Sequence, residues 1–287
     1  MRRLAWLLLV LLPLCSVVAK PDVADSLCVE ALLRQGIRLP ADSSLMLHYA
    51  RQFLGVPYVA HTLEHADGHE RLVVNLRQMD CTTLVETVAA LTLATTHGGT
   101  GWQDFTHWLQ ALRYRGGVLD GYASRNHYFS QWIRSAEAQG LAVEITRGDT
   151  ADAFPFTATQ HLDLHYMSRH RSAYPALAAS DTLARLVARH ERETSGASVH
   201  YIPARLTALP RTRLSCIKDG DILALVTRKD GLDVSHVGLA VWGSDGLLHL
   251  LNASSIAHRV VLDSQPLCRY LERHPSSVGV RVIRLLR

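Results

Sequence analysis

The sequence predicts an α+β fold in which helices come first and an antiparallel sheet comes last. The 287 residues are 48% hydrophobic and 20% charged, which provides for a sizeable core and excludes a disordered chain. In the first two thirds of the chain, apolar residues recur at helical spacing. The last third instead holds short runs of Val, Ile and Leu between turn-forming residues, which is the pattern of a strand meander.

The chain begins with a segment that is typical of a secretory signal peptide. Two arginines follow the first Met, an apolar run comes next, and Val17 and Ala19 supply the small residues of a cleavage site. We therefore predict a leader at 1–19 and a single exported catalytic domain at 20–287, periplasmic or extracellular. The apolar run is too short to span a membrane, so we expect no stable membrane insertion once the leader is removed.

The first predicted helices lie at 43–54 and 82–96. The first follows a cap at Asp42 and Ser43 and ends at a Gly-Val-Pro sequence, whereas the second is mostly apolar and ends at two glycines. Residues 71–76 are a short strand candidate between them. Beyond these helices, apolar spacing predicts helices over 102–114, 126–139 and 181–193, with a short strand near 142–146.

The last third of the chain is predicted to form the sheet. Its apolar runs are separated by turn signals such as Lys229-Asp230-Gly231 and Ser244-Asp245-Gly246. The runs are too short for helices and are rich in residues that favour strands. We therefore expect strands at 221–227, 235–242, 246–252, 258–262 and 278–285.

Cys81 is the first candidate for chemistry, because it lies where a loop enters the second predicted helix. Asp80 can cap that helix by accepting a hydrogen bond from Thr82 or Thr83. Such a cap places Cys81 at the first helical position, where unpaired N–H groups stabilise the nucleophilic thiolate. A buried structural cysteine is the alternative, and the segment around Cys81 does not decide between the two.

His236 is the second candidate, at the start of the predicted strand 235–242. Alternation along the strand places His236 and Gly238 on one face. We expect Gly238 to leave open space beside the imidazole, or to let another element approach closely. Asn252, at the end of the next strand, can orient the imidazole through its side-chain oxygen, although Asn at a strand end is more commonly a turn former.

Together these segments resemble the NlpC-type cysteine peptidases. The resemblance rests on four short segments, which contain Tyr58, Cys81, His236 and Asn252. The mature chain is also similar to the N-acetylmuramoyl-L-alanine amidase-like branch of that clan, through residues 124–129, Trp132 and the segment 218–222.

The resemblance implies a papain-like core, in which the catalytic cysteine at a helix N-terminus packs on an antiparallel sheet. Cys81 would attack an amide carbonyl, and His236 would protonate the leaving amine and then activate water. Asn252 would orient the imidazole, at a position where the clan usually has His. The long separation between Cys81 and His236 further implies a large, mainly helical insertion at about 100–205.

The same resemblance suggests contacts around the scissile amide. The backbone N–H of Cys81 and the hydroxyl of Tyr58 are candidates for oxyanion donors. Arg125 is a candidate to pair with a carboxylate of the peptide stem, and His127 and Tyr128 are candidates to contact sugar or peptide. Each of these four side chains also has a structural alternative, in which it packs or contacts solvent.

Export combined with this resemblance predicts an enzyme that acts on peptidoglycan or muropeptides. The bond implied by the amidase-like branch is the amide between N-acetylmuramic acid and L-alanine. We expect no cofactor and no metal. The net charge of +4 gives little support for a nucleic-acid partner. Three further cysteines outside the leader allow one disulfide, whose pairing the sequence leaves open: Cys28, Cys216 and Cys268.

Four alternatives remain open at this point. An endopeptidase would cut within the peptide stem, an acyltransferase would pass the thioester to an amine, and a protein with a decayed triad would only bind the wall. A zinc amidase is the fourth, because several of the 16 His recur at close spacing: His61, His65, His69, His161 and His165. Against it, the chain has no His-Glu-x-x-His pattern and no cysteine pair at zinc spacing.

Overall fold

The computed structural model describes residues 22–64, 69–146 and 158–286, so the predicted leader at 1–19 lies outside the described residues. The helices of the described part are α1 (Val23–Gly36), α2 (Leu45–Gln52), α3 (Cys81–Thr96), α4 (Trp102–Arg113), α5 (Phe129–Ala138), α6 (Tyr166–Arg169), α7 (Pro175–Ala179), α8 (Asp181–Thr194) and α9 (Leu267–Glu272). None of these helices combines the length and the hydropathy that a membrane span requires.

The strands form one antiparallel sheet, which confirms the predicted α+β class. They are β1 (Ala142–Glu144), β2 (Ala158–His161), β3 (Ser198–Pro203), β4 (Ile222–Thr227), β5 (Val234–Trp242), β6 (Leu248–Ser254), β7 (Arg259–Leu262) and β8 (Ser277–Leu285). The strand order is β2-β3-β8-β4-β5-β6-β7, and β1 also pairs with β8. Leu239 of β5 pairs with Ile222 of β4 and Leu251 of β6, so β5 is held in register from both sides.

Apolar side chains cover both faces of the sheet. On one face, Val237, Leu239 and Val241 belong to the main core, which also takes in α1 to α5. On the other face, Ala240 and Trp242 belong to a second core with α9. The predicted alternation along β5 is therefore confirmed, and residues 236 and 238 lie on the α9 side.

The segment 100–205 is built into the molecule in two ways. Phe105 of α4 and Trp132 of α5 belong to the main core, while β1 and β3 pair with β8 of the sheet. Helices α6 to α8 instead form a small apolar cluster with Tyr122 and Tyr128. The ends of this segment are therefore part of the main architecture, and its middle adds a separate helical layer.

The predicted helices and late strands match α2 to α5, α8 and β4 to β8, with small shifts at their ends. The strand predicted at 71–76 is wrong, because its backbone pairs with side chains. The carbonyls of Arg71 and Val73 accept hydrogen bonds from Tyr114 and Arg113. The segment is rich in apolar residues because Leu72 and Leu76 are buried.

Candidate active site

Helix α3 begins at Cys81, as the sequence predicts. The Asp80 carboxylate accepts a hydrogen bond from the Thr83 N–H at 2.8 Å, and the Thr83 hydroxyl accepts one from the Asp80 N–H at 2.9 Å. This reciprocal capping box defines where the helix starts. It places the Cys81 thiol in the first turn, where free backbone N–H groups favour a thiolate.

Cys81 and His236 line the same cavity and shift each other's pKa. Burial opposes ionisation of the thiol, but the interaction with the positively charged His236 outweighs it, so the pKa of Cys81 lies below its ordinary value. Burial likewise opposes a charged imidazole, but the Cys81 thiolate raises the pKa of His236 above its ordinary value. The pair therefore favours thiolate and imidazolium, which is the reactive state of such a pair.

Asn252 is fully buried on β6, beside His236. Its side-chain oxygen accepts a hydrogen bond from His236 Nε2 at 3.0 Å, which leaves the other ring nitrogen for Cys81. The prediction that Gly238 leaves open space is wrong, because a Cβ there would lie 2.7 Å from the carbonyl oxygen of Leu251 and 3.0 Å from Cβ of Asn252. The glycine instead permits the close strand approach that brings Asn252 to His236.

Tyr58 lies near the start of α3. The backbone of Tyr58 forms a parallel β-bridge with Met79, which lies two positions before Cys81. Burial raises the pKa of Tyr58, and negative charge on Cys81 and Asp80 raises it further, so the hydroxyl lies within electrostatic range of the thiol. Its role as an oxyanion donor stays a prediction.

A cavity of about 120 Å³ opens beside Cys81 and His236. Its walls come from the first residues of α3, from 232–237, and from 126–129 together with Trp132. The segment before α5 is therefore one wall of the cleft, and it carries His127 and Tyr128 with it.

Arg125 is not placed to bind a substrate carboxylate, contrary to the prediction. It is 5% exposed, and its guanidinium lies 2.5 Å from a carboxylate oxygen of Glu64 and 3.7 Å from one of Glu70. It also donates a hydrogen bond to the carbonyl of Leu63. A buried cation requires carboxylate partners, and here the chain supplies its own. Arg125 therefore anchors the loop on which these residues lie.

His127 and Tyr128 line the cavity, but their polar atoms have partners inside the protein. The Tyr128 hydroxyl donates to Glu191 at 2.6 Å, and His127 Nε2 lies 2.9 Å from the carbonyl oxygen of Tyr122. Burial and the nearby charge of Arg125 lower the pKa of His127 to about 3, so its ring is neutral. The predicted polar contacts to substrate through the Tyr128 hydroxyl and His127 Nε2 are therefore wrong, because internal partners already occupy both atoms.

Tyr270 of α9 is a site residue that the sequence analysis missed. Its ring packs against His236 with centroids 6.3 Å apart and planes at 21°. Burial and then the negative charge of Cys81 raise the pKa of Tyr270 to about 12. A signal was present, because Leu267, Tyr270 and Leu271 have the spacing of one helix face.

The segment 218–222, which was singled out by resemblance, has a structural role. Asp219 accepts a hydrogen bond from the Trp242 N–H at 2.7 Å. Asp221 accepts two from the Arg284 guanidinium, at 2.8 and 2.7 Å. These contacts join β4, β5 and β8 at the end of β5 that lies opposite His236.

Across the described ranges, no group of three or more His, Cys, Asp and Glu side chains is arranged to hold a metal ion. Of the histidines considered for zinc, His65 lies outside these ranges, and His165 contacts the carboxylate of Asp230 at 3.0 Å. The described cysteines form no disulfide with one another.

Comparison with known proteins relates this geometry to a family. The AmiA-like family model, described as N-acetylmuramoyl-L-alanine amidase-like, matches residues 48–280. The crystal structure of an N-acetylmuramoyl-L-alanine amidase from Bacteroides uniformis has a TM-score of 0.77 and 39% identity, covering 88% of this chain and 100% of that chain.

Two further crystal structures are similar over most of their length. A Bacteroides fragilis protein whose name suggests a xylanase has a TM-score of 0.75 and 41% identity, covering 83% of this chain and 99% of that chain. A Legionella pneumophila protein shares the fold at 22% identity and a TM-score of 0.68, covering 92% of this chain and 95% of that chain. No curated protein is significantly similar in sequence.

Proposed function

The chain belongs to the N-acetylmuramoyl-L-alanine amidase-like family, and from this premise we propose that it is a cysteine amidase with Cys81, His236 and Asn252 as its catalytic residues. The family indicates a hydrolase of peptidoglycan. The observation that carries the cysteine mechanism is that Cys81 and His236 line one cavity and favour each other's charged form, while Asn252 accepts a hydrogen bond from His236 at 3.0 Å. The proposal includes a papain-like core of the NlpC type, supported by a cysteine at a helix N-terminus beside an antiparallel sheet that carries the histidine.

In the proposed reaction, the Cys81 thiolate attacks the amide carbonyl carbon and forms a tetrahedral intermediate. The His236 imidazolium gives its proton to the leaving nitrogen as the C–N bond breaks. Water then attacks the resulting thioester while His236 takes a proton from that water, and the C–S bond breaks to release the carboxylic acid and restore the Cys81 thiolate. Asn252 accepts the Nε2–H throughout and keeps the imidazole oriented. The Cys81 N–H and the Tyr58 hydroxyl would stabilise the oxyanion, each by about 3 kcal/mol when correctly placed.

The bond we propose is the amide between N-acetylmuramic acid and L-alanine. The family description and the name of the Bacteroides uniformis structure both support this bond. Phe129 and Trp132 stack beside the cavity with centroids 5.0 Å apart and planes at 5°. Both rings and that of Tyr128 are buried in the core, so they shape this wall and the support for the bond rests on the family.

We further propose that the chain acts outside the cytoplasm, in the periplasm or extracellularly. The support is the leader pattern at 1–19 and the location of peptidoglycan. Fractionation of cells that produce the full chain, followed by N-terminal sequencing, tests this proposal. A mature protein that starts at Lys20 outside the cytoplasm is expected, and an uncleaved cytoplasmic chain would contradict it.

Digestion of purified muropeptides by residues 20–287, followed by mass spectrometry, tests the bond. We expect release of a free L-alanine amino terminus, and we expect the same stem peptide without muramic acid to stay intact. Cuts within the sugar-free stem would identify an endopeptidase instead. An absence of any product, with Cys81→Ala indistinguishable from the parent protein, would overturn the enzyme assignment.

Inhibition separates a thiol enzyme from a zinc amidase. Iodoacetamide should abolish activity because the proposed nucleophile is a thiolate, whereas EDTA should leave the rate unchanged. Loss of activity on chelation with recovery on added zinc would favour the metal mechanism.

A further inference from the structure

We propose that Tyr270 is a positioning residue that holds the His236 imidazole in the plane from which it reaches both Cys81 and Asn252. The proposal rests on the proposed catalytic role of His236. It starts from ring geometry, because a centroid separation of 6.3 Å with planes at 21° lies in the range of offset aromatic stacking.

Tyr270 is itself well fixed. It is 7% exposed and shares the second core with Leu267 and Leu271 of the same helix. Its ring also stacks on His274, with centroids 4.2 Å apart and planes at 20°. His274 Nδ1 lies 2.7 Å from the backbone carbonyl oxygen of Tyr270, which holds that second ring in place. Tyr270 therefore presents a rigid face to His236.

The His236 imidazole needs a supporting surface against one face of its ring. Its hydrogen bond to Asn252 holds the ring at Nε2 alone, so the ring can still tilt about that contact. A surface stacked on the ring opposes that tilt. On β5 itself, position 238 is the next on the same face, and a glycine there provides no side chain for support.

The charges around this stack indicate that Tyr270 acts through geometry. Cys81 and Asp80, at the start of α3, are the negative groups near His236, and their charges favour the imidazolium. Tyr270 carries no charge at neutral pH, because burial and the thiolate raise its pKa to about 12. Loss of the ring would admit water, which screens the attraction between thiolate and imidazolium.

The test compares Tyr270→Leu, which removes the ring, with Tyr270→Phe, which keeps it. The readout is the rate at which iodoacetamide alkylates Cys81 across pH, together with kcat and KM on muropeptides. For Tyr270→Leu we expect alkylation at pH 6 to slow about tenfold and kcat to fall about tenfold with KM unchanged. For Tyr270→Phe we expect both rates within about twofold of the parent protein. Because alkylation needs no substrate, it tests the proposal even if muropeptides are not cleaved.

Two control variants separate positioning from stability. Leu271→Ala weakens the packing of the same helix without removing a ring, and should leave the alkylation profile unchanged. Tyr166→Leu removes another Tyr–His stack, on His170 with centroids 4.3 Å apart, and should do the same. If thermal unfolding shows that Tyr270→Leu does not fold, Tyr270→Met replaces it.

Three results would overturn the proposal. The first is an alkylation profile of Tyr270→Leu, or of its Met replacement, that matches the parent protein. The second is an equal loss in Tyr270→Phe, which would assign the effect to the hydroxyl. The third is an equal shift in Leu271→Ala, which would assign it to the packing of α9 as a whole.

Discussion

His236 and His127 both line the cavity beside Cys81, yet their surroundings move their pKa values in opposite directions. Burial disfavours the charged imidazole of each. At His236 the thiolate of Cys81 outweighs burial and raises the pKa. At His127 the positive charge of Arg125 adds to burial, and the pKa falls to about 3.

This difference teaches that burial lowers the pKa of both histidines and that the neighbouring charge decides whether this effect is reversed, as at His236, or reinforced, as at His127. Around His236 the charges are those of a reactive pair. Around His127 they belong to an internal network, in which Arg125 is already paired with Glu64 and Glu70. One wall of the cavity therefore carries the proposed catalytic pair, Cys81 and His236. The other wall, which contains His127, determines the shape of the cavity.

The largest expected effect separates the two histidines by activity. His236→Gln should lower kcat/KM on muropeptides at least about 1,000-fold, because the general acid and base is lost. His127→Gln should stay within about fivefold, because a neutral ring in the wall takes no part in proton transfer. Chromatographic quantification of products checks both variants against Cys81→Ala. Comparable losses in the two histidine variants would place His127 in the chemistry.

Alkylation at acidic pH should show the next largest effect. The pKa of Cys81 is lowered by His236, so its thiolate persists at pH values where an ordinary thiol is protonated. Without His236 the effect of burial on the thiol is no longer outweighed, and His236→Gln should slow iodoacetamide labelling at pH 6 by more than about tenfold. His127→Gln should not change the profile. Mass spectrometry of labelled peptides measures which cysteine reacts first. Labelling of Cys28, whose pKa is raised by burial, before Cys81 would contradict the prediction.

The two histidines should affect the pH dependence of stability in opposite directions, because the pKa of His127 is lowered and that of His236 is raised. The pKa of His127 is about 3 in the folded protein and about 6.5 in an unfolded chain, so between these values only the unfolded chain binds the proton. The free energy of unfolding should therefore fall as pH falls through this window, by up to about 1.4 kcal/mol per pH unit. Urea unfolding at pH 4.5 and 7 should show a smaller fall in His127→Gln. Equal falls in both proteins would contradict the lowered pKa.

The smallest expected effect concerns the residue that orients His236. Asn252→Ala should lower kcat/KM about tenfold, because the Nε2–H loses its acceptor at 3.0 Å. Asn252→His should retain much of the rate, since its ring nitrogen can accept the same hydrogen bond. The same product assay measures both variants. Full activity in Asn252→Ala would show that another contact, such as the ring of Tyr270, is sufficient.

Much of the fold could be predicted from the sequence, because its signals are local. The start of α3 follows from the Asp80 cap, and the faces of β5 follow from alternation. The strand predicted at 71–76 failed because the backbone carbonyls of this short apolar run accept hydrogen bonds from the distant side chains of Arg113 and Tyr114. Helix α9 was missed because it is only one and a half turns long between two strands.

The candidate site divides in the same way. Cys81, His236 and Asn252 were identified from short segments and a family resemblance, and the structure brings all three together. Arg125 was interpreted from its charge and from the family resemblance of its segment. The carboxylates that pair with the Arg125 guanidinium lie about 60 residues earlier in the chain. Local residue spacing carries no information on such a distant partner.

By itself, the sequence determined where helix α3 starts, which face of β5 carries His236, and which thiol is the nucleophile candidate. Caps and alternation depend on backbone hydrogen bonds between residues a few positions apart, so they can be predicted without the fold. Only the tertiary structure decided that His127 is neutral and that Tyr270 meets His236. The first outcome depends mainly on the burial of His127, and the second on a ring from a later helix, and both arise only when the sheet and its covering helices pack together.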